Sequence, residues 1–309
     1  MNDRYRDTVR LLLDITPHVF AGGGFALKGG TAINMFIRDM PRLSVDLDLV
    51  HVDAASDRDQ ALGDIRRRLD EIRAALTKRG FNAPPARPVG DESRLLVSRS
   101  GLTVKVEVNT VFRGTVLPPV RMDLCAAAET LFSRTLTVPA LAVEEVYAGK
   151  LVAAMDRQHP RDLFDVMKLR EAGGITALTR QTFVACLCGH NRPINELLTP
   201  NRIDIARAFE NDFVGMTFEG VTLDRLQATR DWLFSTLPAS LSHDERRFLA
   251  SLKAGRPDWA LMPFPHLQTL PAVRWKLRNI ETLKAKNPKK HAAMLATLER
   301  KLSELPEPD

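Results

Sequence analysis

The sequence is poor in cysteine and in aromatic residues, and it contains no long hydrophobic run. Its 309 residues include 3 cysteines, too few and an odd number for a disulfide framework, so we expect a protein of the reducing cytoplasm. No apolar stretch approaches the roughly 18 residues that span a bilayer. Charged residues interrupt the N-terminal segment, which argues against a signal peptide. We therefore expect no membrane partner.

Positive charge is concentrated near the C-terminus. The whole chain has a formal charge of +6. The segment from Arg274 to Lys301 contains nine basic and two acidic residues, so its own balance is +7 and that of the remainder is −1. A basic segment on a near-neutral body is typical of proteins that bind a polyanion such as nucleic acid. A solvated helix face carries similar runs of charge, so both interpretations stay open.

The chain is long enough for two domains, and its pattern changes near residue 140. Before that point, helical periodicity and strand-like alternation are mixed, with helices predicted at 4–20, 32–38 and 57–79 and strands at 25–28, 42–50, 95–98 and 102–110. After Pro139 the pattern is helical, at 143–155, 160–171, 178–190, 202–210, 222–236, 243–253 and 270–301. We therefore predict an α+β protein with a mixed-sheet domain over residues 1–140 and a mainly helical domain over residues 141–309.

The residues that carry chemistry begin at a glycine turn. Gly29, Gly30 and Thr31 open a predicted helix, where unobstructed backbone N–H groups and the helix N-terminus favour a phosphate. The predicted strand 42–50 follows, with one apolar face and one polar face formed by Arg42, Ser44, Asp46 and Asp48. Two carboxylates on one strand face can bind Mg²⁺ or Mn²⁺ together with nucleotide phosphates. The arginine and serine of this face are candidates for phosphate contacts.

A third carboxylate is a candidate for the same site. Glu107 lies on the polar side of the predicted strand 102–110, between Lys105 and Asn109. A carboxylate there can act as a metal ligand or accept a proton from an attacking hydroxyl. An exposed strand face with alternating Lys and Glu is common, so for Glu107 alone that alternative stays open.

The segment GGTAINMFIRDMPRLSVDLDL, residues 29–49, resembles a known signature. A glycine turn followed by a strand-borne D-x-D resembles the nucleotidyltransferases of the polymerase β superfamily. The form G-G-T and then R-x-S-x-D-x-D-L is similar to the AbiEii/AbiGii abortive-infection toxins of type IV toxin–antitoxin systems, relatives of mycobacterial nucleotidyltransferase toxins. Similar motifs continue along nearly the whole chain, at residues 104–108, Lys150, residues 161–165 and residues 270–277.

This resemblance implies a toxin that transfers a nucleoside monophosphate from an NTP to an acceptor hydroxyl and releases pyrophosphate. The implied acceptor is the 3′ end of tRNA, so that aminoacylation and translation stop. The resemblance also implies a role in phage defence and a cognate antitoxin encoded nearby. The N-terminal domain would bind the NTP and Mg²⁺, and the helical domain would complete the active-site cleft and bind the acceptor.

In the helical domain the resemblance makes Lys150 and Asp162 catalytic candidates. Lys150 has small neighbours that leave its approach open, and its ammonium can act as a point charge on a triphosphate. Asp162 can position that lysine or a metal-bound water, and we expect Asp165 to anchor Arg161 beside it. A helix cap and salt-bridge set after Pro160 is the alternative for this cluster.

Two other functions stay open at this point. One is a small-molecule nucleotidyltransferase of the antibiotic-modifying kind, which needs an acidic acceptor pocket. The other is a nucleotide-binding regulator without turnover.

Two further features are interpreted as structural. The spacing of Cys186, Cys188 and His190 is poor for a zinc site, and residues 22–24 lack the lysine of a phosphate-binding loop.

Overall fold

Strands and helices are mixed up to residue 140 and helices follow, which confirms the predicted α+β class. The computed structural model describes residues 3–90 and 92–307. In these ranges seven strands form one mixed sheet. They are β1 (Phe25–Lys28), β2 (Asp46–His51), β3 (Arg87–Val89), β4 (Glu92–Arg99), β5 (Leu102–Asn109), β6 (Val120–Asp123) and β7 (Thr137–Ala140).

Most of the remaining described chain is helical. The helices before residue 140 are α1 (Asp3–Phe20), α2 (Gly29–Ala32), α3 (Arg58–Thr77) and α4 (Ala126–Phe132). Those after it are α5 (Val143–Arg157), α6 (Pro160–Glu171), α7 (Ala177–Gly189), α8 (Ile194–Leu198), α9 (Ala206–Asp212), α10 (Leu223–Ala239), α11 (His243–Lys253), α12 (Pro271–Lys286) and α13 (Pro288–Ser303). Two short 3₁₀ turns lie at Trp259–Leu261 and Pro265–Thr269. None of the helices in the described ranges is both long and apolar enough to cross a membrane.

The sheet has one buried apolar face and one polar face. Its strand order is β3-β4-β5-β2-β1-β7-β6, and β2 runs antiparallel to β1 and parallel to β5. Leu47 and Leu49 of β2 are fully buried, as are the three valines of β5. Because side chains alternate along a strand, Asp46, Asp48 and Glu107 project from the other face.

Helices α1 and α3 support the apolar face of the sheet, since α1 packs against β5 and α3 packs against β4. In α1 the fully buried side chains recur at spacings of three and four residues, at Val9, Leu12, Ile15 and Val19. Burying each such side chain stabilises the fold by about 1.5–3 kcal/mol. The strands that carry the candidate carboxylates therefore pack against a hydrophobic core.

The second strand is shorter than predicted. It begins at Asp46, whereas the alternation of apolar and polar residues predicted a strand from residue 42. The backbone N–H of Leu43 donates to the carbonyl of Met216 (2.9 Å), and Arg42 forms an isolated bridge with Thr217. Arg42 and Leu43 therefore pair with a distant segment instead of the sheet.

The helix after β1 also differs from its prediction. It begins at Gly29, three residues before the predicted start, so the glycines form its first turn. Its last part, Ile33–Ile37, has the wider π geometry. Wider turns of this kind are frequent at functional sites.

Two compact units make up the chain. The first comprises Met1–Val146 and Phe213–Gly220, and the second comprises Tyr147–Asp212 and Val221–Asp309. In the second unit the predicted helix 270–301 is divided into α12 and α13. Asn287 ends the first helix, and its side-chain oxygen accepts a hydrogen bond from the backbone N–H of Lys290 (2.9 Å), so it caps the second. Pro288 at the first helical position reinforces that start.

Candidate active site

The glycine turn is in direct contact with the acidic strand. Gly29 has φ +74°, and a β-carbon there would overlap the carboxylate of Asp48. A β-carbon at Gly30 would come within 2.8 Å of Arg42 Nη2 and 3.2 Å of Ser44 Oγ. Gly29 therefore requires glycine, and at Gly30 a larger residue would press on the Arg42 and Ser44 side chains, because the backbone of the turn lies against the predicted catalytic and phosphate-binding side chains.

Thr31 connects the turn to the start of β2. Its hydroxyl lies 2.9 Å from Ser44 Oγ and also contacts the backbone carbonyl of Asp46. Thr31 is fully buried, and Ser44 and Arg42 are buried as well. The Arg42 guanidinium donates to the carbonyl of Leu43 at 2.9 Å. The structure thus brings together five of the six residues predicted to bind nucleotide around one end of β2: Gly29, Gly30, Thr31, Arg42 and Ser44.

Asp46 and Asp48 lie on one face of β2, as predicted from their spacing. In the parallel pairing with β5, Asp46 lies opposite Lys105 and Asp48 lies opposite Glu107. The Lys105 ammonium is 3.3 Å from a carboxylate oxygen of Asp46. Burial raises the pKa of Asp46; Lys105 opposes this rise, and the charges of Asp48 and Glu107 add to it. The polar face of the sheet therefore holds three carboxylates, Asp46, Asp48 and Glu107, close enough to repel one another.

Glu107 has a basic partner that sequence reasoning missed. It forms an ion pair with Arg94, which lies directly opposite on β4. Glu92, two residues before Arg94, is also half-buried on this strand, and burial together with the charges of Glu107 and Asp48 raises its pKa. Strand pairing alone brings three further residues next to the site: Lys105, Arg94 and Glu92. The alternation of polar and apolar residues along each strand predicts only that their side chains lie on the polar face of that strand.

The donor set fits a divalent cation that also binds substrate. Among the described residues, no group of three His, Cys, Asp or Glu side chains is already arranged as a metal site. Mg²⁺ characteristically uses one or two protein carboxylates plus substrate phosphates and water. The mutually repelling carboxylates of Asp46 and Asp48, beside a phosphate-type turn, match that requirement. The metal roles of Asp46, Asp48 and Glu107 stay predictions.

Lys150 lies in a buried ion-pair cluster of the second unit. Its ammonium is 2.7 Å from Asp162 and 3.0 Å from Asp165, and all three side chains are buried. The small neighbours of Lys150 suggested an open approach, but α6 provides both aspartates and encloses the ammonium. The sequence pattern does not predict the contact between Lys150 and Asp165. The expected link between Asp165 and Arg161, like the catalytic roles of this cluster, stays a prediction.

Arg157 is the member of this cluster that sequence reasoning missed. Its guanidinium makes two hydrogen bonds to Asp162, at 2.5 and 3.0 Å. Burial acts to raise the pKa of Asp162, but Lys150 and Arg157 outweigh burial and keep that pKa below its ordinary value. Asp162 is therefore ionised and fixed in position. His159 caps α6 through Nδ1, which accepts from the backbone N–H of Arg161 at 3.2 Å.

Two buried residues outside these clusters, Cys188 and Lys276, have a structural role. Burial raises the pKa of the Cys188 thiol to about 12, so it is no thiolate ligand at neutral pH. Lys276, which belongs to the basic segment, is buried and not on its surface. Its ammonium donates to the carbonyls of His190 (2.7 Å) and Arg192 (2.6 Å), and burial lowers its pKa to about 8.

Comparisons with known proteins identify the family and the fold of this chain. The family model described as "Nucleotidyl transferase AbiEii toxin, Type IV TA system" matches residues 10–279. Among solved structures, the chain is similar to MenT4, a nucleotidyltransferase toxin from Mycobacterium tuberculosis. The TM-score is 0.59 at 20% sequence identity, over 91% of this chain and 94% of that one. At that identity the likeness concerns the fold. A comparison with curated proteins finds no match.

Proposed function

The chain belongs to the AbiEii family of nucleotidyltransferase toxins of type IV toxin–antitoxin systems, and we propose that it transfers a nucleoside monophosphate from an NTP to the 3′ end of tRNA with the help of Mg²⁺ or Mn²⁺. Such a modification blocks aminoacylation and hence translation. Family membership implies a cognate antitoxin, which we propose is encoded nearby. We further propose that the protein acts in the cytoplasm, in defence against phage.

One observation carries this proposal: the glycine turn packs on the carboxylate face, so closely that a β-carbon at Gly29 would overlap Asp48. The first backbone N–H groups of a helix have no partner within the helix and attract anions. A triphosphate on this turn would have its reacting phosphorus beside Asp46 and Asp48. A nucleotide-binding turn and a pair of carboxylates in contact support phosphoryl transfer better than nucleotide binding alone.

The reaction is an in-line displacement at the α-phosphorus. A bond forms between the acceptor oxygen and that phosphorus, the bond to the bridging oxygen breaks, and pyrophosphate leaves. When bound to Asp46 and Asp48, a divalent cation supplies positive charge for the phosphate oxygens. Glu107 lies opposite Asp48 on β5 and is the carboxylate that we propose accepts the acceptor proton. Thr31 and Ser44 fix the turn against β2.

The acceptor proposal rests on charge. Four lysines around the turn between α12 and α13 are exposed: Lys284, Lys286, Lys289 and Lys290. Contacts with phosphates supply affinity for RNA that does not depend on base sequence. We propose that this lysine turn binds the body of the tRNA.

The test is transfer of label from each of the four α-³²P-labelled NTPs to unfractionated tRNA, with Mg²⁺ or Mn²⁺. We expect label in tRNA with at least one NTP, pyrophosphate release, and no transfer when EDTA is present. Transfer to tRNA whose 3′ end has been oxidised with periodate should be absent. Binding of NTP without pyrophosphate release would contradict the proposal and support a regulator.

A further inference from the structure

The polar face of the sheet is a grid of side chains around the two aspartates. Strand pairing aligns these residues in rows that cross the strands. The first row is Asp46, Lys105 and Leu96. The second row is Lys28, Asp48, Glu107, Arg94 and Arg87. Neighbouring strands are about 4.8 Å apart, so Leu96 lies about 10 Å from Asp46 and Arg87 lies about 14 Å from Asp48.

The glycine turn occupies one flank of the aspartate pair. It follows directly from β1, and its Thr31 hydroxyl contacts the carbonyl of Asp46. In an in-line displacement the attacking and leaving oxygens lie on opposite sides of phosphorus. If the triphosphate lies on the β1 flank, the acceptor approaches from the opposite flank, which β5, β4 and β3 form.

Arg87 on that flank has a positive charge that no described residue neutralises. It is exposed, and it lies directly opposite Arg94 in the pairing of β3 with β4. The ion pair with Glu107 compensates Arg94. Like charges directly opposite each other destabilise a strand pair. Glu107 supplies a counter-charge to Arg94 but not to Arg87, so Arg87 is the cation of this pair that would bind an anion.

Leu96 presents apolar surface on the same flank. It lies in the row of Asp46 and Lys105, and 41% of its surface is exposed. The neighbouring residues of β4 on the opposite face, Leu95 and Val97, are fully buried. Leu96 therefore faces solvent on the site face rather than the core.

We propose that Leu96 and Arg87 form the subsite for the last nucleotides of the RNA acceptor. Leu96 contacts the terminal sugar and base, and Arg87 binds a backbone phosphate. The 3′ hydroxyl then lies near Asp46, Asp48 and Glu107. This inference rests on the proposed function, since it assumes that the acceptor is RNA.

The test compares variants at the two opposite edges of the sheet. Arg87→Gln and Leu96→Ser change the proposed subsite, whereas Arg121→Gln and Val120→Ser make comparable changes on β6, whose residues 120 and 121 are also exposed. All four sites are on the surface, so we expect stable proteins. The measurements are KM for unfractionated tRNA, KM for NTP, and the salt dependence of tRNA binding by fluorescence anisotropy.

We expect Arg87→Gln to raise the KM for tRNA several-fold and leave the KM for NTP unchanged. It should also reduce the slope of log Kd against log salt by about 0.7, which corresponds to one neutralised phosphate of a single strand. Leu96→Ser should raise the KM for tRNA without changing that slope. Leu96→Trp should lower the KM about fivefold, because an aromatic side chain stacks on a base.

Two outcomes separate this inference from the proposed function. If the wild-type protein labels tRNA while Arg87→Gln and Leu96→Ser behave like the β6 controls, the subsite is wrong and the proposed function stands. If the wild-type protein binds and cleaves NTP but labels no RNA, the proposed acceptor is wrong, and the subsite falls with it.

Discussion

The backbone of Gly29 and the carboxylate of Asp48 are in van der Waals contact, with no room for a methyl group between them. Gly29 also has φ +74°, a conformation that costs a non-glycine residue about 1 kcal/mol or more. The contact therefore fixes the proposed phosphate turn relative to Asp48, the proposed metal ligand. Any side chain at position 29 must displace the carboxylate.

We predict that Gly29→Ala lowers the rate of nucleotide transfer about a hundredfold, as expected for a displacement of about 1 Å of reacting groups. Gly24→Ala is the matched control. Gly24 has φ +81°, but no atom lies within 4 Å of an added β-carbon, so this variant bears the strain without the overlap. Steady-state transfer by both variants is the measurement. Equal activity would mean that contact with Asp48 is irrelevant to catalysis.

The Lys150 cluster predicts a loss of stability. Lys150→Ala leaves Asp162 and Asp165 buried without their ammonium partner, so we expect a loss of about 3–5 kcal/mol in the free energy of unfolding. Arg157→Gln is the control, because Arg157 contacts the same Asp162 but its side chain is 64% exposed, and we expect a loss of about 1 kcal/mol or less. Urea denaturation measures both. A stable Lys150→Ala protein would contradict the buried ion-pair assignment.

Glu145 predicts a pH dependence of stability. Burial raises the pKa of Glu145 to about 7 from an ordinary 4.5, although the N–H groups of Leu117 and Val116, both 2.9 Å from its oxygens, favour the ionised form. The unfolded chain therefore releases this proton at a lower pH than the folded protein does. The protonated Glu145 therefore adds about 3 kcal/mol to the free energy of unfolding below pH 4.5, and this contribution is lost as the pH rises to 7.

We expect Glu145→Gln to remove this part of the pH dependence, because an amide does not titrate in this range. The free energy of unfolding, measured at pH 5 and pH 7, should then differ less in the variant than in the wild-type protein. Glu144→Gln, at the neighbouring position, is the control and should retain the wild-type difference. A variant with an unchanged difference would show that Glu145 is ionised throughout this range.

The lysine turn predicts a change in the salt dependence of RNA binding. Replacing Lys284, Lys286, Lys289 and Lys290 together with Gln should weaken tRNA binding and reduce its log–log salt slope by about 0.7–0.9 for each phosphate that the variant no longer neutralises. Lys276 is not part of this prediction, because its ammonium is bonded to two carbonyls. NTP affinity serves as the internal control and should not change. Identical slopes would identify the lysine turn as a solvated surface.

The sequence was sufficient for the parts of the site that lie within one strand or one turn. Alternating apolar and polar residues are enough to put Asp46 and Asp48 on one face, and the glycines predict the turn. Which residues lie opposite depends on pairing between distant strands, so Lys105 and Arg94 could not be identified as partners of Asp46 and Glu107. The shortening of the predicted strand 42–50 has the same cause, since Met216 pairs with Leu43.

The sequence was also not enough to predict which charged residues are buried. A count of basic residues treats Lys276 and Lys290 alike, although one is buried and the other is exposed. The small neighbours of Lys150 indicated an open approach, because nothing in α5 itself shows that α6 encloses it. In both cases the deciding contacts come from another segment of the chain.

The most direct test of the whole account is label transfer from an α-³²P-labelled NTP to tRNA by Asp46→Ala and Asp48→Ala. The exposed helix residue Asp70 provides the control, as Asp70→Ala. We predict that both strand variants remain folded by circular dichroism and lose transfer by on the order of a thousandfold, because the charges that bind the metal are gone. Asp70→Ala should match the wild-type rate. Wild-type transfer by a folded Asp46→Ala or Asp48→Ala protein would contradict the account.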